Sequence, residues 1–192
     1  MAVTVSTYKE NLKKIFDKVN RVYYFPDPTK ALSSQTGGIE LPVLESGVTF
    51  NTGDPDKNEV KLTDGTVWTS KVKQGESDIS FQVSSVHSTI NELLMEKKAN
   101  SSITAQFEGV TYTGDGFSLA PKKISGALLM TSEDKTTAVY LPNVEMFASF
   151  NGEGGDDSTG YYNVAVTPLT DAKGAAFYPL SGTASSSSSS SL

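Results

Sequence analysis

The 192-residue chain sets 16 Lys and Arg against 22 Asp and Glu, a formal net charge of −6, with 37% hydrophobic residues, one His and no Cys. That composition belongs to a folded chain rather than a disordered one, and this length suits one domain with short arms. Without Cys there is no disulfide, thiolate nucleophile or thiolate metal site, and a single His excludes a histidine-based metal cluster.

The charge is uneven. Residues 1–30 hold six basic and three acidic side chains, 6 − 3 = +3, which leaves −6 − 3 = −9 on the rest. An acidic body argues against nucleic-acid binding, which needs clustered Lys and Arg against phosphates. A basic segment on an acidic body is self-complementary between subunits.

In chain order, "TYKENLKKIFDKVN" (residues 7–20) predicts a helix. Thr7 and Glu10 form a capping box, and Leu12, Ile15, Phe16 and Val19 recur at i, i+3, i+4, i+7 as one apolar stripe. The start of the chain lacks a charged segment followed by an apolar one, so no signal peptide is expected. No apolar run approaches the roughly 18–20 residues of a membrane helix. "YYFPDPTKALSSQTGG" follows and reads as a connector, because Pro26, Pro28, Gly37 and Gly38 break periodicity.

From Ile39 the period is mostly two. "GTVWTSKV" and "DISFQVSS" alternate, and "TINELLMEKK" (89–98) interrupts them as a helix with a Thr89–Glu92 capping box. Alternation resumes in "SITAQFEG" and "VTYTGDGF" about a Glu108–Gly109 turn, then in "KKISGALLMTS" and "TTAVYLPN" about Glu133–Lys135. "NVEMFASF" and "YYNVAVTPL" flank a Gly/Asp loop, and residues 136–172 hold five acids and no Lys or Arg. Phe81, Phe107, Val164 and Val166 occupy alternating positions and are expected in the core. The expectation is a mainly β fold, an antiparallel β-sandwich or barrel with one short flanking helix and an N-terminal amphipathic helix. It divides as an arm over 1–38, a β domain over 39–180 and a flexible Ser-rich tail over 181–192.

Chemistry is sparse. His87 lies between a strand and a helix with no G-x-S-x-G motif in the chain, so a structural role is expected. Asp54, Asp56 and Asn58 imitate the start of a calcium loop, but Glu59 stands where that loop needs Gly and Gly65 where it needs Glu, which favours a solvated loop. Trp68, Tyr23–Tyr24 and Tyr161–Tyr162 suit sugar stacking or packing. Glu76, Asp78, Asp156 and Asp157 suit a glycosidase pair or solvated turns. Packing and solvated turns are the commoner roles, so no enzyme activity, cofactor or metal is expected.

The order of strands, short capped helix after "DISFQVSSVHSTINELLMEKK", and further strands in "KKISGALLMTSEDKTTAVYLPNVEMFASF" resembles the tail tube (major tail) proteins of tailed bacteriophages over residues 39–170. It resembles the tube protein of type VI secretion more distantly. The resemblance implies a β-sandwich with a flanking helix, assembled as six-membered rings stacked into a tube. It implies a virion tail component, built in the bacterial cytoplasm, that meets tape-measure and terminator proteins. DNA would pass through without specific binding, and no membrane is involved. Acidic walls let phosphates slide, which makes Asp54, Asp56, Glu59, Glu153, Asp156 and Asp157 candidate lumen or inter-ring carboxylates. Leu12, Ile15, Phe16 and Val19 are candidate arm contacts. The alternative is an immunoglobulin-like or carbohydrate-binding module on a virion or cell surface.

Overall fold

The computed structural model describes residues 18–30, 37–45, 47–84, 87–152 and 160–182. The stripe residues Leu12, Ile15 and Phe16, the carboxylates Glu153, Asp156 and Asp157, and most of the Ser-rich tail lie outside the described residues.

Strands dominate. They are β1 (Val19–Phe25), β2 (Ile39–Leu41), β3 (Thr49–Asn51), β4 (Asp56–Lys61), β5 (Val67–Lys73) and β6 (Asp78–Val83), followed by helix α1 (Ser88–Leu94). Then come β7 (Glu96–Lys97), β8 (Ile103–Phe107), β9 (Val110–Gly114), β10 (Phe117–Ser118), β11 (Ile124–Ser132), β12 (Thr137–Asn151), β13 (Tyr161–Pro168) and β14 (Tyr178–Ser181). The main sheet is antiparallel in the order β2-β1-β11-β12-β13-β6-β3, with β14 added alongside β12.

The ends of this sheet meet. Two residues after β2, Val43 bridges Val83 at the end of β6. Leu44 N donates to Gln82 O at 2.9 Å, and Gln82 N donates to Gly47 O at 3.1 Å. The chain thus crosses from one end of the sheet to the other and closes it into a barrel.

β12 is the backbone of the barrel. Its first residues, Thr137–Tyr140, pair with β14, and its last, Val144–Asn151, pair with β13. The register against β11 slips between Gly126 and Leu128, so β12 carries an extra residue beside Pro142. Proline has no N–H for a ladder, and such a bulge bends the strand. The separate strands "TTAVYLPN" and "NVEMFASF" of the sequence reading are therefore one 15-residue strand.

Alternation explains the interior. Ile79, Phe81 and Val83 of β6 point in beside Tyr162, Val164 and Val166 of β13 and Val144 and Met146 of β12. α1 adds Ile90 and Leu94 to this cluster. Burial of Phe81, Val164 and Val166 is as expected from their spacing. Phe107 is not in the core; it is 66% exposed.

β1 corrects the division at residue 38. "VNRVYYF" is a strand of the main sheet between β2 and β11, not the end of a helix and a connector. Val22 and Tyr24 face the barrel interior, while Phe25 packs outside with Ala127 and Tyr140. Val19, expected as an arm contact, lies partly buried against the core.

Candidate assembly surfaces

Two hairpins stand away from the barrel. The first is β4–β5. Every residue of both strands is exposed, and among the described residues the strands pair only with each other. Its turn is tied by Asp64, whose Oδ1 accepts from Thr66 N at 2.9 Å and Thr66 Oγ1 at 2.6 Å. Beside the turn the register slips between Val60 and Lys61, which makes Trp68 the extra residue of a bulge, 70% exposed. Val60, Val67 and Val72 are exposed with it.

A narrow neck joins this hairpin to the barrel. Gly75 N donates to Asp54 O at 3.1 Å, and Gln74 Nε2 donates to Thr52 O at 2.8 Å and Gly53 O at 2.7 Å. A Cβ on Gly75 would lie 2.4 Å from Asp54 O, and one on Gly53 would lie 2.6 Å from Gly75 O. Only glycine allows the two chains this approach.

The stretch that holds Asp54, Asp56 and Glu59, expected as a solvated loop, is half neck and half strand. Asp54 lies in the neck, while Asp56 and Glu59 lie on β4. Asp56 faces Lys73 across the ladder, and Glu59 pairs with Lys57 at 2.5 Å. Residues 56–73 carry four lysines against three carboxylates, 4 − 3 = +1, so the hairpin is no acidic surface. The calcium-loop reading fails with the loop: Asp56 and Asn58 sit on an extended strand. Among the described residues no cluster of three or more His, Asp or Glu is placed to hold a metal.

The second hairpin is β8–β9, also exposed throughout. Its turn is Glu108–Gly109, as expected, with φ of 48° and 81°. Positive φ at both central residues matches the twist of a two-residue hairpin. In the ladder Phe107 faces Val110 and Ala105 faces Tyr112. One face is therefore Ile103, Ala105, Phe107, Val110 and Tyr112, and the other is Thr104, Gln106, Thr111 and Thr113.

The root of this hairpin is polar. Lys97 bridges Glu92 of α1 and Asp115, both at 2.8 Å, and Lys98 N donates to Gly116 O at 2.9 Å. The Lys97 ammonium and the Ser102 hydroxyl hold the Asp115 carboxyl below its ordinary range.

α1 is shorter and differently capped than its sequence predicts. His87 is the N-cap, with Nδ1 accepting from Thr89 N at 3.3 Å, and Met95 ends the helix in an extended conformation. The Lys122 ammonium closes the other end by donating to the carbonyls of Glu92 at 2.5 Å and Leu93 at 3.0 Å. A cation there satisfies orphan carbonyls and opposes the helix dipole. The aromatic candidates separate as well. Tyr24 and Tyr162 are buried, with hydroxyls donating to Ser125 O at 2.8 Å and Asn91 Oδ1 at 2.7 Å. Burial raises the pKa of both phenols.

A third surface lies on the outside of the β1–β11–β12–β14 wall. Phe25, Ala127 and Tyr140 are buried there under a partly exposed layer of Tyr23, Leu129, Tyr178 and Leu180. A groove of about 560 Å³ runs over its β1–β11 side and onto β2, floored by Tyr23, Phe25 and Leu129 with Arg21, Glu40 and Lys135 at its polar margin.

No helix among the described residues is long and apolar enough to cross a membrane. No protein-family model, curated protein or solved structure matches the chain.

Proposed function

We propose that this chain is a structural subunit, without catalytic activity, that assembles with copies of itself into stacked rings forming a tube. The observation that carries the proposal is the contrast between a barrel that covers its own interior and two hairpins that no other described residue covers. A two-stranded ribbon in water is marginal by itself. Exposed Trp68, Val72, Phe107 and Tyr112 on such ribbons suit burial by neighbouring copies.

On this reading the chain acts as tail tube proteins of tailed bacteriophages do, as a virion component made in the bacterial cytoplasm. DNA passes through the tube unbound, and tape-measure and terminator proteins meet it inside and at its end. The β4–β5 hairpin supplies contact along the stack. Its interleaved lysines and carboxylates set orientation, and its apolar side chains supply most of the free energy.

Electron microscopy of the purified chain tests this. Rings or tubes are expected, and replacing residues 57–72 by a short Gly/Ser linker should leave a folded barrel unable to form long tubes. A wild-type chain that stays monomeric at all concentrations would overturn the proposal. The 70% exposure of Trp68 also fits a carbohydrate-binding module. That reading expects a monomer whose binding to immobilised glycans disappears in Trp68→Ala.

A further inference from the structure

The β8–β9 hairpin and the outer groove are two unlike apolar surfaces on one chain, and we infer that each hairpin docks into the groove of the next copy. The inference rests on the self-assembly reading above and names the contact that closes a ring. A contact between two different patches runs head to tail, and head-to-tail contacts close into rings when the rotation allows.

Desolvation favours the hairpin as the occupant. Its strands carry no charge on either face, so burying them strands no ion; Phe107 and Tyr112 are 66% and 57% exposed. Its five-residue strands span about 17 Å, within the length of the seven-residue β1 that walls the groove. The root at Lys97, Asp115 and Gly116 holds the ribbon in place beside α1, which lowers the entropy lost on docking.

Charge fixes the direction. The only charge between Ile103 and Gly114 is Glu108, at the tip. The groove margin offers Lys135, which makes no ion pair among the described residues, and Arg21, which reaches Glu40 at 3.5 Å. The other exposed apolar ribbon, β4–β5, carries Lys57, Lys61, Lys71 and Lys73 against three carboxylates, 4 − 3 = +1, so at this margin it meets like charges, which disfavour it. Residues 7–17 carry three lysines against Glu10 and Asp17, 3 − 2 = +1, and lack the negative charge that would answer the margin.

The chain has no native cysteine, so an engineered pair reports cleanly. Phe107→Cys mixed with Leu129→Cys should give a disulfide between copies on oxidation. Sedimentation should show dissociation about tenfold or more easier for Phe107→Asp, with circular dichroism unchanged. Glu108→Lys and Lys135→Glu should each weaken association, and the double variant should restore it. An intact oligomer in Phe107→Asp, or the absence of the mixed disulfide, would overturn this contact while leaving self-assembly standing. Loss of the oligomer only on removing residues 1–17 would give the groove to that segment instead. A monomeric wild type would remove both readings.

Discussion

Phe81 and Phe107 stand in short antiparallel strands with the same in-and-out alternation. One is fully buried in the barrel and the other is 66% exposed on a ribbon. The difference lies in what covers each strand. β6 has β13 and β3 beside it and α1 in the core cluster it joins; among the described residues β8 pairs only with β9. Alternation reports that a strand has one apolar face. It does not report whether the cover for that face comes from the same chain.

Truncation breaks the comparison most directly. Phe81→Ala should cost about 3–5 kcal/mol, read as a lower midpoint in denaturant, while Phe107→Ala should stay within about 0.5 kcal/mol for the isolated subunit. Equal losses would show that the β8–β9 hairpin belongs to the subunit's own core. The neck gives a smaller effect. Gly75→Ala forces a methyl against Asp54 O, at a cost of about 1–3 kcal/mol. Amide protection across residues 56–73 should fall while the barrel's thermal midpoint holds. Unchanged protection would mean that the hairpin does not depend on its neck.

The smallest effect is one of pH, in the β11–β12 turn. The Ser132 hydroxyl, then the hydroxyl and amide of Thr136, hold the Asp134 carboxyl at about 2, below its ordinary 3.8. A depressed carboxyl pKa adds stability that is fully present above the unfolded value and is lost as pH falls through the folded one. The turn should therefore loosen between about pH 4 and pH 2, not above. Titration of the Asp134 carboxyl by NMR checks it, and a midpoint near 4 would contradict its hydrogen bonds to Ser132 and Thr136.

The barrel was legible where one face is wet. β6, β13 and the second half of β12 alternate cleanly because their outer residues meet water. β1 was illegible because Val22 and Tyr24 pack inside while Phe25 packs outside, which erases the alternation. β4 was illegible for the opposite reason: "DKNEVK" buries neither face. The T-x-x-E pattern at Thr89 placed the helix start two residues past its true N-cap, since a histidine nitrogen accepts the bond that a hydroxyl usually does. Of the candidate carboxylates, Asp56 and Glu59 look acidic in sequence because the lysines that answer them are Lys73, seventeen residues on in β5 opposite Asp56, and Lys57, beside Glu59 on β4. The outer groove is built from β1, β2, β11 and the turn at Lys135, so no local pattern announces it.

β12 has a mechanical meaning. A sandwich whose layers touch only through side chains can slide apart along an oily plane. Here a single covalent strand runs from one half of the wall to the other, bonded to β11 from Ala138 to Met146, to β14 at its start and to β13 at its end. Any shear between the halves must break ladders on three neighbours together or stretch the peptide chain itself. The subunit therefore yields as one piece under load, and a force applied at its rim is carried across it as through a strut.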